Sequence, residues 1–505
     1  MHHTLLIDEI VSRICDHLYE DIRLDCKAGI PQTLGDLNAL ARASKVFSEQ
    51  ALDALWRTQW SLAPLISCLP SATVVQQRRY TSGKWTPCQI VSLRSTPSSA
   101  EWETIAPYGL RIKHLAGPSP LNAVYLIDQE SLGMLFFDRL TPLLANLSTV
   151  SHLGFPIEPS SRLYPTWLYC VLTKKLGGLV LEYPYEASAN DLDSAVRQLA
   201  TRSPELSNLS FTCPFRPTGD STLLPDFLEP LSKLKNLESF RLTLKSETNA
   251  ISSSRASCIY PFSRLRDMTL ACGTVNQAVE AMWAIDADNL QRLRISATYY
   301  SQNSSAGHQS PVLAVELGQQ ARWISTLESL SIVFPPHSVS PFQPDPLFAF
   351  TNLKLVQLYN IDLDLTDSLA RKMVRTWPLI EKITLYFTQS SSRSFPLTFF
   401  GIFVTSWPQL TYLQTNAKID PSVEQRNRPA IPNLAPETSY RPTSKPGLLT
   451  FVMTSGSVVR TPDAVARWIY DVSHPKSVHL TFDEPSHGIE SWECVQHELK
   501  KLYEG

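Results

Sequence analysis

One apolar frame recurs through most of this 505-residue chain and limits what it can fold into. The order L-x-x-L-x-x-L-x-L, complete or shortened, stands at Leu147/Val150/Leu153/Phe155, Leu176/Leu179/Leu181, Leu206/Leu209/Phe211, Leu234/Leu237/Phe240/Leu242 and Phe262/Leu265/Met268/Leu270. It returns at Leu290/Leu293/Ile295, Ile324/Leu327/Leu330/Ile332, Phe350/Leu353/Val356/Leu358, Trp377/Ile380/Ile383/Leu385 and Trp407/Leu410/Leu413. With residues 153, 179, 209, 240, 268, 293, 330, 356, 383 and 413 as the equivalent position, the spacing averages about 29 residues. Helical stretches fall between these positions, at 190–202, 276–287, 312–325, 367–377 and 397–407. One strand and one helix per interval cannot cover each other fully until the next interval stacks on them, so the pattern predicts a quasi-linear core. The expected fold class is α/β, a solenoid with parallel strands and outer helices.

The first sixty residues follow a different period. Leu6, Ile10, Ile14 and Leu18 recur every four residues, and Asp8 and Glu9 sit in the first turn, where the helix dipole favours negative charge. A second helical period runs through Leu37, Leu40, Ser44 and Phe47, and a third through Leu52, Leu55, Trp56 and Trp60. The residues Leu6-Ile7-Asp8-Glu9-Ile10, Ile14, Leu18, Leu37, Leu40, Ala43-Ser44-Lys45, Phe47 and Leu55-Trp56 resemble the F-box motif. Ala51 to Trp56, followed by Leu62-Ala63-Pro64-Leu65 and Leu69-Pro70, is similar to the continuation in large fungal F-box families. Two features depart from the family pattern: Ile7 stands where the family has Pro, and the link from Glu20 to Asp36 is long.

The repeated frame in turn resembles the degenerate leucine-rich repeats that follow F-boxes in many proteins. The usual Asn or Cys after the strand is mostly absent, with Cys272 and Asn360 the nearest approximations, so the turns must close by other means. The expected organisation is an F-box-like helical domain at 1–70, a connecting segment or first irregular repeats at 71–146, the repeat array at 147–420, a Pro-rich loop at 421–447, and last repeats with a cap at 448–505. Within the connecting segment, 89–94 reads as a strand and 102–115 as a helix running into another strand. After the Pro-rich loop come a strand at 448–452, a helix at 463–471, a strand at 478–480 and a helix at 490–503.

Composition excludes several functions. Lys plus Arg is 45 against 47 for Asp plus Glu, so the net charge is −2, and nucleic-acid binding, which needs clustered basic charge, is not expected. Nine dispersed cysteines contain no C-x-x-C pair, which fits a reducing compartment. Asp8, Glu9, Arg13 and Asp16 interrupt the apolar N-terminus, and no run approaches a membrane span, so a cytoplasmic or nuclear protein without membrane contact is expected. Nucleotide-loop, hydrolase and zincin signatures are absent. His474, His479, Asp483, Glu484, His487 and His497 follow no metal-ligand spacing, and neither a metal nor a cofactor is expected.

The F-box resemblance implies a substrate-recognition subunit rather than an enzyme. Such a subunit docks on a Skp-type adaptor in a cullin-based ubiquitin ligase and holds a target protein on its repeats. The docking set would be Leu6, Ile10, Ile14, Leu37, Leu40, Phe47, Leu55 and Trp56. Strand alternation places Arg241, Thr243, Arg294, Ser296, Gln357, Tyr359, Thr384, Tyr386 and Gln414 on the face away from the helices. Of these, Arg241, Arg294, Gln357, Tyr359 and Tyr386 are the candidate target-binding residues, since Tyr and Arg are enriched at hot spots. The alternatives are a repeat-based scaffold outside any ligase and an enzyme with an unrecognised site.

Overall fold

The computed structural model describes residues 8–24, 32–81, 84–116, 124–137, 144–151, 168, 171–182, 189–213, 223–244, 259–297, 309–334, 342–363, 365–387, 394–415, 418–420, 448–453, 462–473, 477–482 and 489–504. They form a mixed α/β protein with two compact units, Met1–Phe215 with Ser221–Thr243 and Arg216–Asp220 with Leu244–Gly505. The division falls inside the stretch expected as one array.

Three helices open the first unit: α1 (Asp8–Leu24), α2 (Gln32–Ala43) and α3 (Lys45–Arg57). Their boundaries correct the sequence reading. The first helix continues past Leu18 to Leu24, Trp60 lies beyond the third, and the second period does not run through Phe47. Ser44 breaks it, with extended backbone (φ −159°, ψ 142°) and a side chain that accepts from Val46 N at 3.3 Å. That N-cap satisfies a donor that the new helix leaves open, so Phe47 belongs to α3. Val11, Cys15, Leu37, Ala51 and Ala54 form the bundle core, the two alanines letting α3 approach closely. Ser44→Ala is expected to cost about 1 kcal/mol, read as faster hydrogen exchange confined to the first amides of α3.

Parallel strands at Thr58–Gln59, His114–Leu115, Thr149–Val150, Gly178–Glu182 and Asn208–Cys213 follow one another across the sheet of this unit, and Ser239–Leu244 comes next in order. Leu115 pairs with Val150, Val150 with Leu179 and Leu179 with Leu209. The equivalent position of the first frame is therefore Val150, not Leu153, which lies outside the described residues. Strand stacking already starts at Thr58. The strand expected at 89–94 does not begin it: Lys84–Leu93 pairs antiparallel with Ala72–Thr81 and parallel with Val124–Ile127 in a separate three-stranded sheet.

In the main sheet of the second unit, eight described strands lie side by side in chain order, with every adjacent pair parallel. They are Asp267–Cys272, Arg292–Ala297, Ser329–Val333, Leu355–Ile361, Lys382–Phe387, Tyr412–Thr415, Leu448–Met453 and Ser477–Phe482. One register line links Met268, Leu293, Leu330, Val356, Ile383, Leu413, Phe451 and Leu480 as successive partners. All eight are buried against the helix layer. A one-residue slip would expose the whole line, so burial fixes the register. Helices return the chain between strands at Val275–Ala284, Gln309–Gly318, Asp367–Thr376, Leu397–Ser406 and Pro462–Ser473, and Ile489–Glu504 follows the last strand. Among the described residues, Thr274 caps the start of Val275–Ala284 in a capping box with Gln277, and Thr366 caps that of Asp367–Thr376. The Pro-rich stretch 421–447 lies outside the described residues.

Turns close through asparagines that precede the strands. The Nδ2 groups of Asn146, Asn236, Asn289 and Asn352 donate to Leu110 O (2.8 Å), Pro204 O (3.4 Å), Ser263 O (2.9 Å) and Ser325 O (2.7 Å) of the preceding module. Asn360 makes a similar bond from within the strand Leu355–Ile361, one residue before its end. It is left-handed (φ 57°), bonds Phe334 O at 2.6 Å, and sits where the register with the next strand shifts. Cys272 is wholly buried, and desolvation pushes its thiol up to about 12.

Candidate functional site

The expected docking residues separate by environment. Leu37 is fully buried in the bundle core and is a packing residue, not a docking one. Leu40, Phe47 and Leu55 pack half-buried against that core. The ring of Trp56 lies 5.1 Å from that of Tyr108, so it fastens the bundle to the helix Ser99–Gly109. Ile10 and Ile14 stand one turn apart on α1, beside the inward-facing Val11 and Cys15, and Ile14 is 39% exposed. Leu6 lies outside the described residues.

A polar cleft of about 590 Å³ in the same unit is lined by Ser12, Glu49, Asp53, Arg57, Arg111 and Lys113, among others. Its two arginines are already neutralised. Arg111 pairs with both Glu49 and Asp53, and Arg57 pairs with Asp16 at 2.6 Å while lying over the Tyr19 ring. Burial alone would lower the Arg111 pKa, but its bonds to the two carboxylates outweigh this and hold it above the ordinary value. The arrangement anchors α3 to the segment after Gly109 rather than offering charge to a ligand. The spacing of Glu49, Asp53 and Arg57 marks one helical face in the sequence, whereas the long-range partner Arg111 leaves no local trace.

The open strand face gathers the other candidates. In the first unit, Arg241 is exposed there. In the second, register brings Arg294, Ser331, Gln357, Thr384 and Gln414 into one row. Tyr359 and Tyr386 lie beyond it, their ring centroids 5.1 Å apart. Gln414 Nε2 donates to Tyr386 Oη at 2.7 Å, and Tyr412 Oη donates to Gln414 Oε1 at 2.9 Å. Burial raises the Tyr359 pKa, and the Arg294 charge opposes this in part. Lys382 and Tyr412 share this face and were missed by the sequence reading. Each lies two residues before a predicted one, so the same alternation would have found them.

Near the C-terminus, His479 is exposed on the strand face and His497 on the last helix, while His474, Asp483, Glu484 and His487 lie outside the described residues. Among the described residues no group of three His, Cys, Asp or Glu side chains could hold a metal ion, and no helix is long and apolar enough to cross a membrane. No protein-family model matches this chain, and no curated protein matches it either.

Proposed function

We propose that this chain is an F-box protein with leucine-rich-repeat-like modules: its N-terminal helices dock on a Skp-type adaptor of a cullin-based ubiquitin ligase, and its strand face holds a target protein. Ile10 and Ile14 carry this reading. They form an apolar step on the outside of α1 that the bundle does not use, where the F-box resemblance calls for an adaptor contact. The chain then acts by proximity, raising the local concentration of a target lysine beside chemistry supplied by other subunits.

The test is a pull-down of the full chain with the purified adaptor. Ile10→Ala combined with Ile14→Ala is expected to weaken capture at least tenfold while circular dichroism stays unchanged. A folded double variant that binds as well as the parent would reject the docking surface. A scaffold outside any ligase is the second reading, favoured by Ile7 in the family's Pro position and by Leu37 and Trp56 being spent on internal packing. It requires that the chain never co-purify with a cullin.

A further inference from the structure

The strand face of the second unit has a charge pattern that its own structure does not use. Among its described strand residues the one carboxylate is Asp267, and Arg292 pairs with it. Arg294 and Lys382 are both exposed, and neither has an ion-pair or hydrogen-bond partner among the described residues. They are three strands apart and offset by two residues, roughly 15 Å from the strand spacing and rise. The path between them crosses Ser331 and Gln357. Leu355 borders it on one side and the Tyr359–Tyr386 pair on the other; Gln357, Leu355 and both tyrosines are partly exposed, whereas Ser331 is buried and forms the floor.

We propose that this face binds an extended acidic peptide segment, with one carboxylate at Arg294, a second about four residues on at Lys382, and an apolar side chain between Leu355 and the tyrosine pair. The spacing follows from chain reach, since an extended peptide advances about 3.3–3.6 Å per residue. Complementary charge selects the acidic partner, and the two rings offer a large contact area at small entropic cost. The Gln414 bond holds Tyr386 in place before any ligand arrives. The inference deepens the target-binding half of the reading above and rests on it for the biological role of the face.

Fluorescence anisotropy on the full chain tests it with two labelled synthetic ten-residue peptides. One carries two glutamates four positions apart around a leucine, and its twin has lysines in their place. The acidic peptide is expected to bind at least tenfold tighter than its twin and to weaken as salt is raised from 50 to about 300 mM, because exposed charges are screened. Arg294→Glu with Lys382→Glu should abolish the preference, and Tyr359→Ala should weaken binding several-fold without altering the salt response. Equal binding of the twins, or an acidic preference that survives the double charge reversal, would overturn the proposal. Adaptor capture, measured on the same preparations, separates the two readings: a chain that captures adaptor but ignores acidic peptide sinks this inference alone, and the reverse sinks only the ligase reading.

Discussion

Replacing Trp407 with alanine is expected to cost about 3–5 kcal/mol, the range for deleting a large aromatic from a close-packed core. Trp407 is fully buried just past the helix Leu397–Ser406, and its ring stacks on Phe403 at 4.5 Å and 19°. Its backbone also links two elements: Trp407 N bonds Phe403 O at 2.9 Å, and Leu410 N bonds Trp407 O at 3.1 Å, which starts the turn into the strand Tyr412–Thr415. Truncation therefore opens a cavity where the helix hands the chain to the sheet. Because stacked modules hold each other through nearest-neighbour contacts, the loss should weaken both neighbouring modules. Urea unfolding followed by tryptophan fluorescence and circular dichroism would show an earlier transition, with new protease sensitivity near residue 407. Trp407→Phe, which keeps most of the apolar surface, should cost less than half as much. A shift below about 1 kcal/mol for the alanine variant would mean that this junction is not where the second unit is held together.

The positions that become strand partners could be read from the sequence because they obey a constraint repeated in every module. Met268, Leu293, Leu330, Val356, Ile383 and Leu413 were all chosen from spacing, and each is the Cα partner of the next. Spacing failed where the frame offered one apolar residue too many. Val150 and Leu153 both fit the first frame, and only pairing with Leu179 selects Val150. Ser44 misled for another reason: it sits in phase with Leu37 and Leu40, but its hydroxyl caps a new helix instead of joining the old one. The hairpin Ala72–Thr81/Lys84–Leu93 was half seen, because Val74 and Val75 are adjacent and both exposed, so no alternating burial pattern marks the outer strand. The turn asparagines were sought after the strands, whereas Asn146, Asn236, Asn289 and Asn352 act from the turn before them. For the site, alternation found Arg294, Tyr359 and Tyr386 correctly on one face. Which docking residues would be consumed by the core was not legible, since Leu37 and Ile14 look alike in sequence and differ only in what packs over them.

Two glycines that look equivalent on helix propensity are expected to respond to alanine with opposite signs. Gly35 lies inside α2, and an added Cβ would meet nothing within 4 Å. Gly35→Ala should therefore stabilise by up to about 1 kcal/mol, the helix-propensity gain. Gly318 ends the helix Gln309–Gly318, and there a Cβ would come within 2.7 Å of both Pro346 Cβ and Pro346 O. Neither atom can swing aside. Pro346 belongs to the short 3₁₀ turn Asp345–Ala349, closed by Leu347 N on Pro344 O at 2.8 Å and by Phe350 N on Leu347 O at 3.1 Å. That turn is fixed in its own right, since Leu347 is fully buried and the Phe348 ring packs on Trp377 at 5.2 Å. Gly318→Ala must push the helix end away from the next module, and overpacking of this kind costs about 1–3 kcal/mol. The clash outweighs the propensity gain, so the thermal midpoint should fall for Gly318→Ala and rise for Gly35→Ala in the same full-length chain. A rise for both would show that the helix Gln309–Gly318 does not press on Pro346, and would remove the close contact on which the packing of these two modules depends.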